Sequence, residues 1–136
     1  MKVTITNIEI ENYINLISSK DSFRNDITVK VPFDMDWALR VNLKAMNERY
    51  SIYQEARDEI AKEFISAGKA TDDGTRVKDE YIPEYNERIT ALLLQKNELE
   101  LTPIKKDDFK NLALSMPERD FLMLMVDMDA ETAKEE

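Results

Sequence analysis

Gly68 and Gly74 are the only glycines in this chain, and they stand between two segments with heptad spacing. Before them, apolar or aromatic residues fall at Leu39, Leu43, Met46, Tyr50, Tyr53, Ile60 and Phe64, in steps of four and three with Arg57 filling one slot. After them, Ile82, Tyr85, Ile89, Leu92 and Leu99 keep the same alternation, with Lys96 filling one slot. Two facing stripes joined by a short glycine-flanked loop predict a long antiparallel helical hairpin, coiled-coil-like, over residues 34–99. Asp34 is the expected N-cap of the first helix, and no Gly or Pro interrupts the chain from there to Ala67. That helix would be roughly 50 Å long at 1.5 Å per residue. The second, from Asp79 to about Leu99, would be about 30 Å, with Pro83 tolerated near its start. The unequal lengths leave part of the first helix to be covered by something else.

The flanking segments predict a small sheet and two shorter helices. Alternating apolar residues mark three short strands, near 2–6, 27–31 and 99–104, the second ended by Pro32 and the third interrupted by Pro103. Asn7 is the expected cap of a helix carrying Ile10, Tyr13, Ile14 and Ile17. Ser115-Met116-Pro117-Glu118 is a capping box with proline just inside the start, and it opens a helix over 116–126. An acidic tail follows over 127–136. The expected fold is one α+β domain over residues 1–136, dominated by the hairpin.

Composition narrows the chemistry. The 136 residues include no Cys and no His, which removes thiolate nucleophiles, the commonest zinc ligands and the usual general base. No nucleophile elbow or phosphate loop occurs. A net charge of −9 disfavours direct binding of nucleic acid or anionic membrane. The opening Met1–Ile5 lacks the apolar core of a signal peptide, and the longest apolar run, Phe121–Val126, is far too short to span a bilayer. These features predict a cytoplasmic protein that is not an enzyme and takes no metal or cofactor.

The remaining candidates concern partners. Asp127, Asp129 and Glu131 alternate like calcium ligands, but no glycine follows for the sharp turn of such a loop. Glu55 and Glu59, with the other carboxylates of the hairpin, read as solvated helix faces and not as an acid–base pair. Asp72 and Asp73 make a polar knob at the hairpin tip, and with Glu80, Glu84 and Glu87 they form the expected partner-binding surface. Met123 joins them as the methionine left over once Phe121, Leu122 and Met125 face the core. Residues 1–68 carry −2 and residues 69–136 carry −7, so the second half would steer a basic partner, such as a nucleic-acid-binding protein. Trp37, outside the main heptad stripe, begins a second one with Val41, Ala45, Ile52 and Ala56. That stripe either faces the sheet or stays exposed, to make a homodimer through the long helix or to dock a target.

The stretch Val3-Thr4-Ile5-Thr6-Asn7-Ile8-Glu9-Ile10-Glu11-Asn12-Tyr13, the helix segment Ala38–Glu63 and the strand region Leu99–Leu114 together resemble a family of small uncharacterised proteins encoded by phages and prophages of Gram-positive bacteria. The resemblance covers most of the chain and supplies no catalytic residues. It implies a phage protein in the bacterial host cytoplasm. By analogy with other small acidic phage proteins, it implies binding and inhibition of a host factor, a defence system or nuclease, in an anti-CRISPR-like manner. The alternative role is a virion structural or tail-assembly accessory protein.

Overall fold

The computed structural model describes residues 1–26 and 29–126. Lys2–Thr6 forms strand β1, and it pairs antiparallel with β2, Lys96–Glu100, in a two-stranded sheet. The register sets Val3 opposite Leu99 and Ile5 opposite Asn97, which turns Ile5 and Leu99 into the core. The chain then runs directly into helix α1, Asn7–Ser18. Its cap is Thr6, not Asn7. Thr6 ends the strand in an extended conformation, so its hydroxyl can accept from the Glu9 amide while the Glu9 carboxylate accepts from the Thr6 amide. Asn7 is the first helical residue and is buried. It donates to the Leu92 carbonyl at 2.7 Å and accepts from the Asn97 amide at 2.9 Å, tying α1 to the segments near the sheet.

The long helix α2 spans Phe33–Ser66, 34 residues, or about 50 Å. Its N-cap is Pro32 rather than Asp34, and Asp34 and Asp36 fall in the first turn, where carboxylates complement the positive end of the helix dipole. Met35, Leu39 and Met46 have no exposed surface and pack with Ile5, Ile10, Leu101, Phe121, Leu122 and Met125 in the main core. Asn42, equally buried, aims its amide at the backbone of Thr102.

Helix α3, Ile82–Leu93, follows a 3-10 turn over Asp79–Tyr81 and lies against the last turns of α2. Ile60, Phe64 and Ile89 form a second, smaller buried cluster there. The expected seam is thus divided. Leu43, Met46 and Tyr50 belong to the main core, while Ile60, Phe64, Tyr85, Ile89 and Leu92 meet between α2 and α3. The expected helix to Leu99 stops at Leu93, because Lys96–Glu100 is drawn into the sheet by β1. Of the three expected strands, 2–6 is present. The segment expected at 99–104 forms a strand only as β2, shifted to 96–100. Beyond it, Leu101 bonds the Met1 carbonyl and Ile104 makes a single parallel bridge to Val126, on either side of Pro103. In the 27–31 segment, residues 27 and 28 lie outside the described residues, and 29–31 form no strand.

Two more helices complete the main core: α4, Lys106–Phe109, which buries Phe109, and α5, Met116–Leu124. The capping box at Ser115 and Glu118 is present. The helix stops two residues short of the expected 126, since Val126 turns to meet Ile104. Glu118 has a second role that its spacing does not reveal. It is 6% exposed and accepts from the Phe23 amide at 2.9 Å, anchoring the 19–26 segment to α5. The acidic tail 127–136, including the Asp127, Asp129 and Glu131 alternation, lies outside the described residues.

Candidate functional site

The two glycines shape the outer end of the molecule. Both have positive φ, 73° at Gly68 and 70° at Gly74. Gly68 ends α2 in a Schellman motif: the Lys69 amide bonds the Phe64 carbonyl at 2.9 Å and the Gly68 amide bonds that of Ile65 at 3.1 Å. The loop is not a plain turn. Ala70 and Val77 form an antiparallel bridge, Thr71 bonds Arg76, and Lys78 bonds Lys69, so residues 69–78 make a small clasp with Gly74 at its bend.

The clasp folds back over the ends of both helices and encloses an open cleft of about 390 Å³. Phe64, Ile65, Val77, Ile82 and Tyr85 give it apolar walls, and Arg76, Asp79 and Asn86 give it polar edges. Phe64 and Tyr85 meet edge to face, with ring centroids 5.3 Å apart. Ile65 and Ile82 are 49% and 39% exposed, so part of the apolar wall faces solvent. Lys69 braces the arrangement. Its ammonium lies 2.9 and 3.0 Å from the two Glu84 oxygens, 5.5 Å from the Phe64 ring and 5.4 Å from that of Tyr81. Arg88 pairs with Glu63 across α2 and α3 at 2.8 Å.

Five of the six expected partner residues are carried on this end, on the clasp, the 3-10 turn and α3, and one is not. Asp72 is exposed in the clasp. Asp73 beside it serves the turn: hydrogen bonds from the Thr71 hydroxyl, then from the Thr75 amide and hydroxyl, hold its carboxyl below the usual carboxylate range. Glu84 is committed to Lys69, while Glu80 and Glu87 are exposed on the 3-10 turn and on α3. Met123, 37% exposed, lies on α5, whose Phe121 and Leu122 are buried in the main core, apart from the cluster that α3 helps to build. The charge of this end is also smaller than the half-chain sum suggests. Residues 69–93 carry six acidic and four basic side chains, and the tail 127–136 alone accounts for −4.

A second surface runs along α2. Phe33, Trp37, Val41 and Ile52 are 79%, 59%, 39% and 58% exposed, while Ala45 and Ala56 are half-buried. The second stripe therefore does not face the sheet. Among the described residues, no group of three or more acidic side chains is arranged to hold a metal ion, and no helix is long and apolar enough to cross a membrane. The apolar cleft itself was not legible beforehand, because the clasp that closes it depends on the Ala70–Val77 bridge. The available signal was Ile65, an apolar residue outside the heptad alternation next to the loop.

Comparisons with protein-family models, with curated proteins and with solved structures find no match to this chain.

Proposed function

We propose that the chain is a non-catalytic binding protein that occupies the surface of another protein, with the outer end of α2, the clasp and α3 acting together as a helical-hairpin arm. The observation that carries this reading is the solvent-open apolar cleft between Phe64, Ile65, Ile82 and Tyr85, edged by Arg76 and Asp79, with the exposed carboxylates of Asp72, Glu80 and Glu87 carried on the same clasp, 3-10 turn and helix. An apolar floor, with exposed carboxylates on the elements that carry it, fits an apolar side chain flanked by Lys or Arg, the surface that a basic nucleic-acid-binding protein offers. Together with the phage resemblance, this supports inhibition of a host factor in the bacterial cytoplasm, a defence nuclease being the leading target. The partner is a protein, with no direct nucleic acid, membrane, metal or cofactor involved.

The test is co-purification from a host lysate with the intact chain and three variants. A stoichiometric basic partner should be retained by the native chain. It should be lost with Ile82→Asp and weakened by Glu80→Lys with Glu87→Lys, while Met123→Ala leaves binding intact. Retention of that partner by all three variants would refute the site. The exposed face of α2 favours a second reading, an accessory protein of virion or tail assembly, which predicts capture of another phage protein through that face.

A further inference from the structure

The exposed face of α2 has a composition that specifies its own complement. At 100° per residue, Phe33, Trp37, Val41, Lys44, Glu48 and Ile52 fall within an arc of about 100°, centred roughly 165° from the buried face of Met35, Leu39, Met46 and Tyr53. Charge is distributed along it unevenly. Lys44 lies on its N-terminal half, with Arg40, which also pairs with Asp36 at 2.8 Å, at its edge, and Glu48 and Glu55 lie on its C-terminal half, all four exposed. A parallel copy would set Lys44 against Lys44 and Glu48 against Glu48. An antiparallel copy brings each basic half against an acidic one.

We propose that this face pairs with a second copy of the chain in an antiparallel, two-fold symmetric arrangement centred between Met46 and Asn47. One register satisfies both the apolar and the charged positions. Val41 meets Ile52 of the second copy, Trp37 meets its Ala56, Lys44 falls within one residue of its Glu48, and Arg40 within two of its Glu55. Symmetry repeats each contact. Residues 33–56 span about 36 Å of helix, and with a width of about 10 Å the footprint is about 360 Å² per copy, below the roughly 600 Å² per partner at which standard specific interfaces begin. The dimer is accordingly weak and concentration-dependent. It is independent of the outer cleft, so its failure leaves the binding function proposed above untouched.

Sedimentation equilibrium on the full chain tests the pairing over about a hundredfold range of concentration. The weight-average mass should rise toward twice the monomer. The emission of Trp37, the chain's only tryptophan, should shift to shorter wavelength in parallel as its ring is covered. Val41→Glu should leave a monomer with unchanged circular dichroism, since the residue is exposed. Lys44→Glu should weaken association at least about tenfold, and adding Glu48→Lys to it should restore affinity to within about threefold, because the swap rebuilds both symmetric pairs. A chain that stays monomeric throughout, or one whose dimer withstands Val41→Glu, overturns the proposal. Failure of the charge swap to restore what Lys44→Glu removes overturns the register. Capture of an unrelated protein on this face by a strictly monomeric chain likewise overturns it.

Discussion

Asn42 offers the sharpest test of how α2 is held to the rest of the fold. It has no exposed surface, and its side chain does for Thr102 what a neighbouring strand would do. The amide donates to the Thr102 carbonyl at 2.8 Å and its oxygen accepts from the Thr102 amide at 2.7 Å. Asn42→Ala removes both bonds and leaves a small void. Each bond contributes about 0.5–1.5 kcal/mol net, and a buried group left unpaired costs about 1–3 kcal/mol. Thr102 itself is exposed, so water can satisfy part of its backbone, which sets the expected loss at about 2 kcal/mol. For a chain of this length that lowers Tm by about 6–10 °C. Urea titration followed by far-ultraviolet circular dichroism is the appropriate assay, because Trp37 is already 59% exposed and its fluorescence reports unfolding poorly. Asn42→Asp separates the two bonds: it keeps the acceptor, loses the donor and buries a charge. It should cost at least as much at neutral pH, with the deficit shrinking as the carboxyl protonates. A loss below about 0.5 kcal/mol for Asn42→Ala would refute the bridging role, since it is smaller than one ordinary hydrogen bond.

Leu39→Ala, at a site with no exposure, should cost about 2–5 kcal/mol, whereas Leu92→Ala, only half-buried beside the smaller cluster, should cost clearly less by the same titration. Gly68→Ala and Gly74→Ala should each destabilise by about 1–2 kcal/mol from left-handed backbone strain alone, because nothing lies within 4 Å of the added methyl at either site. Glu118 links stability to pH. Burial pushes its carboxyl up, but hydrogen bonds from the Phe23 amide and from the Ser115 amide and hydroxyl outweigh that and hold it below the usual range. A folded-state value below the unfolded one means that this stabilisation is present above the unfolded pKa and is lost as pH falls through the folded one. Glu118→Gln should therefore be less stable at neutral pH and show a shallower acid limb in a stability–pH profile.

The parts of the fold that show in the sequence are those decided locally. A stretch of 34 residues without Gly or Pro, patterned at helical spacing, makes α2 whatever surrounds it. Ser115 and Glu118 mark the start of α5 through a bond between near neighbours. What does not show is decided by distant partners. Lys96-Asn97-Glu98-Leu99-Glu100 consists largely of good helix formers in heptad register, and only pairing with Lys2–Thr6 makes it a strand. The heptad stripe predicts that Leu43, Tyr50 and Phe64 share a face, but not that α3 is too short to cover all of it. The acidic half-chain was legible as a sum, but a sum does not locate charge, and much of it belongs to 127–136. At the outer end, Asp73 has the composition of a contact residue and the bonding of a turn residue.

The pairing of Lys2–Thr6 with Lys96–Glu100 has a consequence for synthesis. The first of these strands cannot find its neighbour until some ninety further residues have left the ribosome. At about 5–20 residues per second that is a wait of roughly 5–20 s. Helix α2 needs no such delay, since its own turns form on the submicrosecond scale. The nascent chain thus presents a finished rod with an apolar flank and an orphan strand with open edges, both exposed until β2 arrives. Closure of the sheet is the event that ends this vulnerable interval, and substitutions in β2 should show first in soluble yield.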